Sequence, residues 1–160
     1  MGFRDISVFN QAMLAKQGWR LVNNPDSLVA RVLKARYFHS DSFLSWSIGS
    51  RSYCVWKSIF WGREVVLKGI RCSVGDGRNI VVYKDSWIPR PGSFKVFSPI
   101  CLPGNALVSK LMEKQGRLNQ NLVRSYFIKD EADLILSIPL SVHAMSDSFL
   151  WHFEKKKKEK

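Results

Sequence analysis

A chain of 160 residues has room for one domain or two very small ones, which excludes a large multidomain enzyme. Hydrophobic residues make up 46% and aromatics 12%, so a core can form and wholesale disorder is excluded. Lys and Arg number 25 against 13 Asp and Glu, a formal charge of +12, which favours an acidic partner such as nucleic acid or an anionic membrane face.

Residues 5–23 place Ile6, Phe9 and Met13 on one helical stripe and Leu14, Leu21 and Val22 on an adjoining one. Lys16 and Arg20, four apart, share a face, so the pattern predicts an amphipathic helix with a basic side. Asn24-Pro25-Asp26 reads as an N-cap, a proline at the first helical position and an acid in the first turn. It opens a second helix through Leu28, Val29, Val32 and Leu33 that carries Arg31, Lys34 and Arg36. The connection is so short that the two predict a helical hairpin with packed apolar faces. Between Tyr37 and Ser52 the periodicity is lost, which predicts a loop pinned by Phe43, Leu44 and Trp46. Ser52 then caps a third helix, with Trp56, Ile59, Phe60 and Leu67 at helical spacing, Gly62 marking a close helix contact and Gly69 a left-handed stop. Trp56 and Trp61 fall on different faces, which predicts burial on more than one side.

The period changes over residues 71–88. Arg71-Cys72-Ser73-Val74 and Asn79-Ile80-Val81-Val82-Tyr83 are β-branched-rich runs separated by Gly75-Asp76-Gly77-Arg78, the residue types of a tight turn, and they predict a central β-hairpin. Residues 89–106, with Pro89, Pro91-Gly92, Pro99 and Pro103-Gly104, predict an extended connector between two lobes. Short C-terminal helices follow at 107–115 and 119–137, closed by Pro139, and the apolar run Phe149-Leu150-Trp151 with Phe153 predicts a terminal strand. The expected fold is thus α+β, mostly α: a helical hairpin plus third helix, a central β-hairpin and short C-terminal helices. Its organisation is expected as 1–88, a connector at 89–106, a small helical segment at 107–153 and a Lys-rich tail at 154–160. That tail, with five Lys and one Glu over 155–160, reads first as a solvated end and otherwise as a nucleic-acid arm or nuclear signal.

Residue types that would carry catalysis are not arranged for it. Two-metal phosphoryl transfer needs clustered carboxylates, and the chain has no Asp-Asp pair. Asp130, Glu131 and Asp133 cluster just after Ile128, where acids complement a helix N-terminal dipole rather than a metal. Asp76 between two glycines lacks the further oxygen ligands of a calcium loop and any Walker Lys-Ser/Thr. Cys54, Cys72 and Cys101 form no zinc or disulfide spacing and read as reduced, mostly packed thiols. His39, His143 and His152 read as loop or packing residues, with strand alternation putting His152 on the solvent side of Trp151 and Phe153. No catalytic residue, metal site, cofactor or small-molecule substrate is expected. The six Trp read mainly as core. What survives is the basic set Lys16, Arg20, Arg31, Lys34 and Arg36, placed to follow an RNA or DNA backbone without reading sequence, against the plainer reading of a solvated helix surface. No leader-like apolar segment or membrane-spanning stretch is visible, so a soluble intracellular protein, with the nucleus as one compartment, is expected and a membrane partner is not.

Several blocks carry a family resemblance: Gly2-Phe3-Arg4-Asp5, Phe9 to Gln17, Ala30 to Phe38, Val74-Gly75-Asp76-Gly77 with Asp85-Ser86-Trp87-Ile88, Ile135 to Ser141, and Asp147 to His152. In order and spacing they resemble the region of plant non-LTR (LINE-type) retrotransposon reverse transcriptases downstream of the polymerase palm and thumb. Similar segments occur in plant reading frames labelled ribonuclease H or reverse-transcriptase-like. The resemblance implies a stretch that follows the catalytic Tyr-x-Asp-Asp and precedes a Cys/His zinc-binding segment and often a ribonuclease H domain. None of those catalytic residues has a matching position here. Leu118 stands where a Trp is common, and Glu154 to Lys160 depart from the family pattern. The resulting expectation is a non-enzymatic connector fragment with residual sequence-independent nucleic-acid binding. The other reading is a remnant open reading frame with no retained activity.

Overall fold

A computed structural model describes residues 5–37, 43–45, 54–90, 92–113, 116–140 and 145–153. Ser52, Trp46, His39, His143 and the Lys-rich tail lie outside them. The chain divides into two compact units, Met1–Gly69 and Ile70–Lys160. The boundary therefore falls at the end of the third helix and not in the 89–106 segment.

The first unit is helical. Helix α1 (Ile6–Asn23) starts at Asp5, whose Oδ1 accepts from the Ser7 amide at 2.8 Å, and ends at Asn24, whose amide donates to the Arg20 carbonyl at 2.9 Å. The Asn24-Pro25-Asp26-Ser27 segment closes a turn, the Ser27 amide donating to the Asn24 carbonyl at 3.1 Å. Helix α2 (Leu28–Tyr37) consequently begins later than the Asn24 cap predicts. Ser27 caps it instead, its Oγ accepting from the Ala30 amide at 3.3 Å. Proline suits the second position of a turn as well as the first turn of a helix, which is why the motif was ambiguous.

Helix α3 (Cys54–Gly69) packs against α1 through small residues. A Cβ on Gly62 would sit 2.5 Å from the Ala15 amide nitrogen and 2.6 Å from the Leu14 carbonyl carbon, so only glycine lets the backbones approach. Leu21, Ala30, Phe43 and Trp56 form the unit's core, with Val22, Leu33, Tyr37, Leu44 and Ile59 around them. Tyr37 stacks on Trp56 at 4.9 Å between centroids, and Phe43 meets the same indole edge-on at 6.0 Å. The hairpin expectation is corrected in its packing: α2 joins this core through Ala30, Leu33 and Tyr37, while Leu28, Val29 and Val32 are exposed. The Ile6, Phe9 and Met13 stripe is exposed too, because α1 buries Ala15, Gly18 and Leu21. Likewise α3 buries Trp56 but leaves Trp61 and Leu67 open, and Gly69 does not adopt a positive φ.

The second unit is α+β. Strand β1 (Ile70–Ser73) pairs antiparallel with β2 (Ser148–Trp151), Ile70 opposite Trp151 and Ser73 opposite Ser148. The predicted local hairpin is therefore absent, although the mostly α class with a small β part holds. Residues 80–82 turn instead to 106–108: the Val82 amide donates to the Ala106 carbonyl at 2.8 Å and the Val108 amide to the Ile80 carbonyl at 2.9 Å. A 3-10 turn (Val108–Leu111), α4 (Gln120–Tyr126) and α5 (Lys129–Leu136) complete the unit. The single helix expected at 119–137 is broken at Phe127 and Ile128. Phe127 is drawn into the core, and the Ile128 amide donates to Ser98 Oγ at 2.9 Å rather than continuing the helix. Trp87, Ile88, Val82, Val108, Val123, Ala132 and Ile135 make the core, all fully enclosed. The 89–106 segment is extended as predicted, yet it is a structural part of this unit: Phe94, Ser98 and Ala106 are buried, and the Trp87 and Ile88 amides both donate to the Phe94 carbonyl.

Candidate nucleic-acid interface

The five predicted basic residues all lie in the first unit and all are exposed. Lys16 and Arg20 stand one turn apart on α1; on α2, Arg31 and Lys34 are one turn apart, while Arg36, two residues further on, falls on another side of the helix. Neither helix contains an acid. Arg20 donates to the Gln17 side chain at 3.3 Å, and the Arg36 guanidinium lies 5.9 Å from the Tyr37 ring centroid. Among the described residues no acid side chain pairs with Lys16, Arg20, Arg31 or Lys34. These exposed cations can exchange water for a polyanion.

Glu131, Asp133, Asp85 and Asp147 of the second unit each have protein partners. Glu131, with no exposed surface, accepts on Oε1 from Arg90 Nη2 at 2.8 Å and the Phe97 amide at 3.0 Å. On Oε2 it accepts from the Ser98 amide at 2.8 Å and Ser98 Oγ at 2.5 Å. Burial alone would push its carboxyl pKa up, but these donors outweigh it and hold the group below the usual range. Reading it only as a dipole-complementing acid missed this ion pair, since Arg90 is 41 residues away. Asp133 pairs with Arg124 at 3.2 Å, and Asp85 Oδ2 accepts from the Val81 amide at 2.7 Å.

Asp147 has a more unusual setting. Its Oδ1 accepts from the Gly75 and Gly77 amides at 2.8 and 2.9 Å, and its Oδ2 from the Asn79 amide at 2.8 Å. The Gly75-Asp76-Gly77 turn is thus an anion-binding nest filled by the chain's own carboxylate, with Gly77 at φ +67°. Two of the blocks that carry the family resemblance meet in the second unit, 74–77 against Asp147, and Trp87 of that same 74–88 region is buried with its Nε1 donating to the Val82 carbonyl at 2.9 Å.

The three thiols and His152 differ in setting. The Cys72 thiol is pushed up to about 11 by burial and by the Asp85 and Asp147 carboxylates, while Cys54 and Cys101 are exposed rather than packed as expected. His152 is not on an open solvent face: it follows β2, lies 5.0 Å from the Phe94 ring centroid, and burial with nearby Arg71 lowers its pKa. Among the described residues no group of three His, Cys, Asp or Glu could hold a metal ion, and no helix is long and apolar enough to cross a membrane.

Comparison with known proteins adds two relatives. The chain is 43% identical over 88 residues to an uncharacterised mitochondrial protein of Arabidopsis thaliana, a match covering 55% of this chain and 57% of that protein. Over 91 residues it is 35% identical to an Arabidopsis thaliana protein named "Putative ribonuclease H protein", covering 55% of this chain but 15% of that protein. No family model matches the chain. No solved structure matches it either.

Proposed function

We propose that the chain is a non-catalytic segment, similar to the connector region of plant non-LTR reverse transcriptases, that binds an RNA or DNA backbone without reading its sequence. The observation that carries the reading is the pair of acid-free helices α1 and α2 with Lys16, Arg20, Arg31, Lys34 and Arg36 all turned to solvent. Supporting the non-catalytic half are the engagements of Glu131, Asp133, Asp85 and Asp147, which tie the second unit together and leave those carboxylates with protein partners. The longer relative is named a putative ribonuclease H protein, and the present chain covers 15% of it.

The test is a variant with all five residues changed to Gln. It keeps its far-UV circular dichroism and loses oligonucleotide binding, and neither protein synthesises or cleaves strands with magnesium. Retained affinity in the five-site variant, or magnesium-dependent turnover by the unmodified chain, overturns the reading. A remnant with no retained activity is the second reading, favoured by the exposed Leu28, Val29 and Val32. It predicts a purified chain that aggregates and does not bind.

A further inference from the structure

The solvent side of α1 carries more than charge. From Phe9, the residues Met13, Lys16 and Arg20 follow at intervals of four, three and four, so all four fall in one line opposite Ala15, Gly18 and Leu21. At the helical rise the line runs about 16 Å. Phe9 is 54% and Met13 47% exposed, so an occupant that covers the phenyl ring gains the burial of its apolar surface. The line thus has a ring and a thioether at one end and two cations at the other; the nearest acid is the N-cap Asp5, one turn before Phe9, whose Oδ1 is taken by the Ser7 amide.

A duplex keeps its base faces stacked inside and offers this line phosphates alone, which satisfies Lys16 and Arg20 but leaves Phe9 in water. An unpaired strand offers phosphates and an accessible base face together. We propose that the Phe9, Met13, Lys16 and Arg20 line is a track for an unpaired nucleic-acid strand, with the two cations on its phosphates and one base stacked on Phe9. Met13 lies beside that base, where a polarisable thioether packs well against a ring. The inference rests on the nucleic-acid reading above and adds the form of nucleic acid that the chain selects.

The experiment compares a short fluorescent oligonucleotide, alone and annealed to its complement, for binding to the full chain by anisotropy. The unpaired strand binds more tightly, by on the order of tenfold, the lower part of what one stacked base supplies. Phe9→Leu, which keeps an apolar side chain but removes the ring, abolishes that preference and leaves duplex affinity unchanged, and Phe9→Trp retains it. Because Phe9 is exposed, these variants keep the wild-type circular dichroism. Equal affinity for both forms, or a Phe9→Leu protein that still prefers the unpaired strand, overturns the track and leaves the backbone-binding reading standing. Binding to neither form removes both, as does binding to phosphatidylserine vesicles without any oligonucleotide binding.

Discussion

Replacing Glu131 by Gln removes one charge from a fully buried side chain without changing its size. The carboxylate takes four hydrogen bonds, two on each oxygen, from Arg90, the Phe97 and Ser98 amides and the Ser98 hydroxyl. An amide group presents N–H where one oxygen stood, so at least one buried donor faces another donor, at a cost of about 1–3 kcal/mol. Arg90, whose side chain is 28% exposed, loses its counter-charge as well. Together the loss is about 3 kcal/mol, near the low end for breaking a buried ion pair and a large share of a small domain's stability. In urea unfolding the midpoint falls by about 1–3 M, given ordinary slopes. The pH dependence gives the sharper readout. The folded carboxyl titrates below its unfolded value of about 4.3, so its contribution is complete above that value and is lost as pH falls through the folded pKa. The difference between wild type and Glu131→Gln is therefore full at neutral pH and narrows below about pH 4. A variant as stable as wild type at pH 7, or a difference unchanged down to pH 3, refutes the reasoning.

Three further outcomes follow from the packing. Asp147→Ala strips the acceptor from three backbone amides and lowers urea stability of the second unit by about 2–4 kcal/mol, with faster amide exchange at Gly75, Gly77 and Asn79. Gly62→Ala drives a methyl group into the α1 backbone at Leu14 and Ala15 and destabilises the first unit by about 1–3 kcal/mol, whereas Ala12→Gly on the exposed side of α1 costs only helix propensity, about 1 kcal/mol. Alkylation separates the thiols: Cys54 and Cys101 react with iodoacetamide at pH 8 while Cys72 stays protected until the chain unfolds.

Local signals were read correctly where the deciding physics is local. Apolar spacing located α1 and α3, and the interruption of a helical pattern by a glycine announced the close approach at Gly62. The terminal apolar run became β2. What failed depended on partners distant in the chain. Gly75-Asp76-Gly77 has a hairpin's residues, but its amides turn to Asp147, about 70 positions on, and β1 pairs with 148–151 for the same reason. The apolar stripe of α1 pointed the wrong way because its core face is built from Ala15, Gly18 and Leu21, of which the first two carry little hydrophobic signal. Spacing alone placed Lys16 and Arg20 on one face of α1, and both are exposed there. That Phe9 and Met13 stand exposed beside Lys16 and Arg20 was not legible, since it required knowing which side of α1 is covered by α3.

The backbone-binding claim is tested most directly by measuring affinity for an unpaired oligonucleotide across a salt series. Five phosphate contacts predict a slope of log affinity on log salt of about −3 to −4, a fall of roughly a hundredfold between 50 and 200 mM salt. The variant with Gln at Lys16, Arg20, Arg31, Lys34 and Arg36 has a slope near zero. A wild-type affinity that does not change with salt contradicts the account.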